Sequence, residues 1–219
     1  VRRGPLATVV QTRAPFFGGG DLRQTLHFYE HSPRIDFDVE CEDIPNKTVV
    51  VAEFPLARDI KSTRRGIPYG FSHGAWSVPN TNLHGFTDGI LAAIRWSHYE
   101  FVDGGGVALL DRGLPGRELT GRTPVLFLLN AQDTYLGYRC AWLSGKGKHH
   151  GSFAPVPQDG DWADARIPQM AWEFNCPPLV VPGVRKTAPV SFAQTSDNVI
   201  VEAMRREGES IEMRLAECL

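Results

Sequence analysis

The stretch VALLDRGLPGREL, residues 107–119, runs an apolar strand-like segment straight into Asp111 and Arg112, then Arg117 and Glu118, around a Gly-Leu-Pro-Gly turn. Charges placed this way form either the working edge of an active site or the polar turn between two strands, and the stretch alone leaves both readings open. Retaining cleavage of a glycoside needs two carboxyl groups roughly 5 Å apart across a cleft, one as nucleophile and one as acid. Asp103, Asp111, Glu118, Asp159 and Asp161 all fall in predicted loops where such a pair could converge. Loops are also where solvated carboxylates normally reside.

His149 and His150 stand side by side in KGKHHG. Successive residues of a regular strand face opposite ways, so the pair is poorly arranged for one metal ion, and an exposed turn is the expected setting. His73, His84 and His98 are scattered, and hydrogen bonding within the fold suits each better than a ligand role. Cys41, Cys140, Cys176 and Cys218 are far apart with no CxxC pair, which reads as buried free thiols. GxxxxGK and HExxH signatures are missing, so the usual nucleotide and zinc-protease patterns are not written here. Trp76, Trp96, Trp142, Trp162 and Trp172 could offer flat apolar faces to sugar rings, although large aromatics mostly fill cores. Trp76, in the polar stretch SHGAWSVPN, is the best placed of the five for a ligand.

The elements that must position these groups are strands. In RIDFDVECED, Ile35, Phe37, Val39 and Cys41 alternate with Asp36, Asp38, Glu40 and Glu42, the pattern of a half-buried strand. NVIVEAMRR and SIEMRLAEC flank a short EGE turn and predict a C-terminal hairpin. LATVVQT, LRQTLHFYE, TVVVAEF, GVALL, PVLFLLN and GSFAPV read as further strands, separated by FFGGGD, YEHSPR, VDGGG and LSGKGKHHG. Only ADARIPQMAWEF hints at a helix, which Pro168 must begin or break. The fold class expected is all-β, a large antiparallel β-sandwich with few or no helices, because strands with alternating faces are best buried as two stacked sheets.

Composition bounds the function. Of 219 residues, 42% are apolar and 22% charged, enough for a substantial core in one globular unit. A net charge of −2 with no basic block gives a polyanion nothing to bind, so no nucleic-acid partner is expected. The longest apolar runs are strand-sized, well short of the roughly 20 residues of a membrane helix, so no membrane partner is expected either.

Several stretches, in order along most of the chain, resemble the C-terminal β-domain of glycoside hydrolase family 38, the zinc-dependent retaining α-mannosidases. They are VRRGPLATV, SPRIDFDVECED, VVVAEFPL, RRGIPYGF, GGGVALLDRGLPGREL followed by PVLFLLN, HHGSFAPVPQDGDWADA, AWEFNCPPLVV and DNVIVEAMRREGESIEMRLAE. The resemblance implies a supersandwich like that of galactose-mutarotase-type domains. It implies that residues 1–219 are the C-terminal β-sandwich, with nucleophile and zinc ligands in an N-terminal catalytic domain outside this chain. No cofactor is therefore expected in this chain, and its expected partners are that catalytic domain and an α-mannoside.

In some members an Arg of the C-terminal domain reaches the substrate cleft from a run resembling LDRGL, which makes Arg112 the carried-over candidate, with Arg117 as fallback. A planar, permanently charged fork suits neighbouring sugar hydroxyls. Two rival readings stand beside this one: a stand-alone carbohydrate-binding module, or a mutarotase-like epimerase using His149 or His150 with a loop Glu. A face turned toward a missing domain should expose an apolar patch, which self-association could also cover.

Overall fold

The computed structural model describes residues 1–17, 20–74, 91–183 and 188–219. In chain order the first strands are β1 (Arg2–Arg3), β2 (Ala7–Pro15), β3 (Asp21–Tyr29), β4 (Ile35–Glu42), β5 (Thr48–Glu53) and β6 (Ile60–Ile67). Then come β7 (Gly70–Gly74), β8 (Leu91–Ala92), β9 (Trp96–Phe101), β10 (Gly106–Asp111), β11 (Gly116–Thr120) and β12 (Thr123–Ala131). The chain continues with β13 (Thr134–Tyr135), β14 (Tyr138–Arg139), β15 (Lys148–Gln158), helix α1 (Ile167–Asn175), β16 (Val199–Glu207) and β17 (Ser210–Glu217).

Nine strands form one antiparallel sheet in the order β1-β2-β3-β4-β15-β10-β9-β6-β7, and four form a second in the order β5-β12-β11-β8. The architecture is thus the all-β sandwich expected from the alternating patterns. Between the sheets lie Val39, Phe153 and Leu126 with Phe37, Phe54 and Leu128, and beside them Tyr99 and Leu109 with Ile60, Leu91 and Leu119. Strand parity sends Ala108 and Leu110 to the opposite face, where they meet Trp96, Ala154, Val156, Trp162 and the buried side of α1. The large sheet therefore has two cores, one against the small sheet and one under the helix.

Pro168 begins α1: it occupies the first turn, where a missing N–H costs nothing, and Arg166 leads in with a left-handed φ of 52°. Ile167, Ala171 and Phe174, at helical spacing, are buried on the sheet. Trp162 stacks on Trp96 with centroids 5.7 Å apart, closing the helix side of the core.

Several features depart from the sequence expectation, among them Glu118, which lies within β11 and not in a loop, and Cys176, which is exposed. His149 and His150 lie in β15 rather than in a turn, because pairing with β4 runs on to Lys148 opposite Glu42. Asp111 is the last residue of β10, opposite Phe153, and only 1% exposed, so it is not a loop carboxylate. The strands β6, β7 and β9 carry no clear alternation; in WSHYEF nearly every side chain is buried, which removes the period-two signal.

The C-terminal hairpin is present, turning at Gly208 with φ 59°. Its two strands pair only with each other among the described residues. Its apolar residues Ile211, Met213 and Leu215 are 69%, 42% and 50% exposed, so this ribbon keeps an uncovered apolar face.

One buried ion pair ties the sheets together. Asp111 on β10 and Arg117 on β11 both point into the space between them, and Arg117 Nη2 donates to Asp111 Oδ2 at 2.5 Å. Arg117 Nε reaches Ser97 Oγ at 3.3 Å, Nη1 donates to the carbonyls of Leu114 and Gly116, and the Leu114 amide donates to Asp111 Oδ1 at 2.8 Å. Removing one member strands the other's charge in the core. Arg117→Ala should lower stability by about 3–5 kcal/mol, read from the urea midpoint, whereas Asp111→Leu with Arg117→Met should recover most of that loss. Equal losses in the single and double variants would show that the pair is not the tie described.

Candidate functional site

Arg112 and Arg117, five residues apart on one turn, have opposite surroundings. Arg117 is 0% exposed and its guanidinium bonds to Asp111, Ser97, Leu114 and Gly116 inside the sandwich. Those donors face the core and not a cleft. Arg112 follows Asp111, so parity turns it to the helix side, and it is exposed. Its Nε donates to the Phe174 carbonyl at 2.7 Å and its guanidinium carbon lies 4.4 Å from the Phe174 ring centroid. Nη1 and Nη2 have no hydrogen-bond partner among the described residues. Gly113, at φ 73°, lets the chain double back after it. The turn thus places one guanidinium as internal tie and the other as an outward two-donor fork. Trp76 lies outside the described residues.

The carboxylate candidates are dispersed. Asp103 pairs with Arg58, Nη2 to Oδ1 at 2.5 Å, and Asp111 pairs with Arg117. Glu118 stands opposite Val125 on β11 and accepts from Thr120 at 3.3 Å. Only Asp159 and Asp161 share a surface, a depression of about 400 Å³ also lined by His98, Glu100, Gly104, Gly105, Gly160 and Trp162. His98 and Glu100 project from β9 onto the helix side of the sheet. Sequence reasoning missed Glu100, because its strand shows no alternation.

Chemistry in this depression is limited by its neighbours. Lys61, Arg64 and Ser62 hydrogen-bond Glu100 and hold its carboxyl down at about 2. Burial, with Arg64 nearby, pushes His98 down to about 4, and its Nε2 meets the Gln158 side-chain amide at 2.9 Å. Neither group changes charge near neutrality, so the two do not form the complementary acid and base that ring opening of a sugar requires. His149 meets the Gly145 carbonyl at 2.9 Å and His150 stands 3.6 Å from Asp38. The two face opposite sides of β15, opposite Cys41 and Glu40. Among the described residues no three His, Cys, Asp or Glu side chains are grouped to hold a metal ion, and Cys41, Cys140, Cys176 and Cys218 are free thiols.

The depressed His98 carries a pH signature. A histidine neutral in the fold but titrating near 6.5 when unfolded takes up its proton preferentially in the unfolded state, so stability falls as pH drops from about 6.5 to about 4. Glu100, lowered in the fold, contributes stability above its unfolded value that is lost on acidification toward about 2. In urea titrations across this range, His98→Gln should flatten the upper limb, whose slope approaches about 1.4 kcal/mol per pH unit, and leave the lower limb in place. An unchanged upper limb would place the responsible group elsewhere.

No family model matches the sequence, and no curated protein matches it. The fold does match solved structures. One is an alpha-mannosidase from Enterococcus faecalis V583, with 12% identity, a TM-score of 0.63, and coverage of 72% of this chain and 18% of that one. Another is a protein in the Glycosyl Hydrolase Family 38 from Enterococcus faecalis, with 11% identity, a TM-score of 0.68, and coverage of 89% of this chain and 23% of that one. This chain therefore spans less than a quarter of either protein's length. At such identity the likeness is one of fold, and the chain has the β-sandwich fold contained within these two glycoside hydrolase structures.

Proposed function

We propose that this chain is the β-sandwich part of a larger α-mannosidase-type glycoside hydrolase, without catalysis of its own, and that Arg112 lines the sugar pocket formed with the rest of that enzyme. The observation that carries the reading is the combination of shared fold and free fork: a sandwich found within much longer glycoside hydrolase chains, presenting an anchored arginine whose Nη groups have no partner among the described residues. The uncovered apolar face of the C-terminal hairpin supports a unit that packs against more protein. In this reading the reaction is retaining hydrolysis of an α-mannoside, and the carboxylate nucleophile and zinc are supplied by the rest of the enzyme. Zinc would polarise and orient the sugar there. Arg112 would donate from Nη1 and Nη2 to neighbouring hydroxyls, adding orientation without proton transfer.

A second reading, a carbohydrate-binding module, draws support from two exposed aromatics, Trp142 at 79% and Tyr138, four positions earlier in the chain, at 75%. The two readings separate in solution. The isolated chain should release no nitrophenol from an aryl α-mannoside, and turnover surviving repurification would overturn the non-catalytic reading. In the longer polypeptide Arg112→Ala should raise KM about tenfold, with little recovery in Arg112→Lys, whose point charge lacks the fork. Tryptophan fluorescence of the isolated chain should show no saturable response to millimolar mannose or mannobiose; a response lost in Trp142→Ala would favour the binding module.

A further inference from the structure

Arg112 is held by a single residue in two ways. The Phe174 carbonyl accepts its Nε–H at 2.7 Å, and the Phe174 ring lies under its guanidinium at 4.4 Å. Phe174 is itself 2% exposed in the core beneath α1. The helix end carrying it is fastened to the strand end carrying the arginine. Asn175 Nδ2 donates to the Asp111 carbonyl at 2.8 Å and to the Ala171 carbonyl at 2.9 Å, bridging the residue before Arg112 to the last turn of the helix. A second guanidinium, that of Arg34, lies 5.2 Å from the same ring. It is engaged with Asp36 through Nε at 2.6 Å and Nη2 at 3.1 Å, so it packs as half of an ion pair.

The position also suits a cation electrostatically. The Phe174 carbonyl lies at the C-terminal end of α1, where unpaired carbonyls carry the negative end of the helix dipole, and the ring adds its negative face. These two contacts hold the Nε edge and the plane of the guanidinium and leave the Nη edge without a partner among the described residues. An arginine so held has already lost the rotamer freedom that a free side chain would lose on meeting a ligand.

We propose that Phe174 is a positioning residue for Arg112, with Asn175 fixing the helix end, so that Nη1 and Nη2 stand as a pre-oriented fork for a pair of oxygen acceptors. The acceptors are neighbouring hydroxyls of a sugar, which rests on the pocket reading above; the positioning itself rests only on the geometry within this chain.

Nitrogen-15 NMR of arginine side chains in this chain tests the positioning directly. The Arg112 Nε–H should be shifted by the Phe174 ring current and should exchange with water at least about tenfold more slowly than the exposed Arg2 and Arg3. Phe174→Leu, which keeps an apolar side chain in the core, should abolish the ring shift, and Asn175→Ala should speed the exchange. An Arg112 Nε–H exchanging like Arg2 and Arg3 in the unaltered protein would overturn the proposal without any variant having to fold. In the longer polypeptide, Phe174→Leu should raise KM several-fold with kcat little changed, and should add nothing in an Arg112→Ala background, while its effect on thermal stability is the same in both backgrounds. Additive KM effects would also overturn it. If Arg112→Ala leaves KM unchanged while the NMR signature is present, the pocket reading fails and the positioning stands.

Discussion

A guanidinium and a carboxylate buried between two β-sheets are tolerable only if each satisfies the other, and the Asp111–Arg117 pair imposes that condition on this sandwich. Burial pushes the Asp111 carboxyl up, while Arg117 and the amides of Leu114 and Gly113 pull it down. The segment between them must cross from the large sheet to the small one within a few residues and present its own amides and carbonyls to the pair. It does so with Gly113 at φ 73° and with Gly116 packed where a Cβ would stand 2.9 Å from the Phe127 Cβ. Ser97, bonded to both Arg117 and Tyr99, extends the polar tie along β9.

The outward chemistry follows from this inward constraint. With Asp111 facing the small sheet, the residue after it must face the helix, and Arg112 emerges beside Phe174. The same parity puts Ala108 and Leu110 under α1, Leu109 between the sheets, and His98 and Glu100 beside the bare backbone of Gly106, where a Cβ would stand 2.7 Å from His98 Nε2. The depression at that end is polar, but its two central groups are held in single charge states by their neighbours. Arg112 differs in having donors without a partner among the described residues. That asymmetry is why the proposed recognition role falls on the arginine turn.

Much of the fold was legible from period-two patterns. RIDFDVECED became β4 with Val39 and Cys41 buried as expected, although Asp36 is buried too, NVIVEAMRR and SIEMRLAEC became the hairpin, and Pro168 stands in the first turn of α1. The strand readings succeeded because apolar and polar residues alternate along each strand, so the period of two is written into the residue types. WSHYEF failed for the converse reason: β9 is covered on both faces, and a strand buried on both sides has no polar period to read. The KHH residues were misplaced in a turn because glycines and charges precede them, although pairing with β4 extends the ladder that far.

The sequence by itself determined the class of architecture, the position of the helix, and a short list of arginines on the Gly-Pro turn as candidates for recognition. The resemblance ranked Arg112 before Arg117, but residue type and setting gave no physical reason to separate them, since both are the same residue type in the same charged, glycine-flanked setting. The packed structure supplied the physical difference, because a side chain's fate depends on which face of which sheet its backbone lands on and on what stands across from it. Arg117 met a carboxylate in the core, and Arg112 met the ring and carbonyl of a helix more than sixty residues further along the chain.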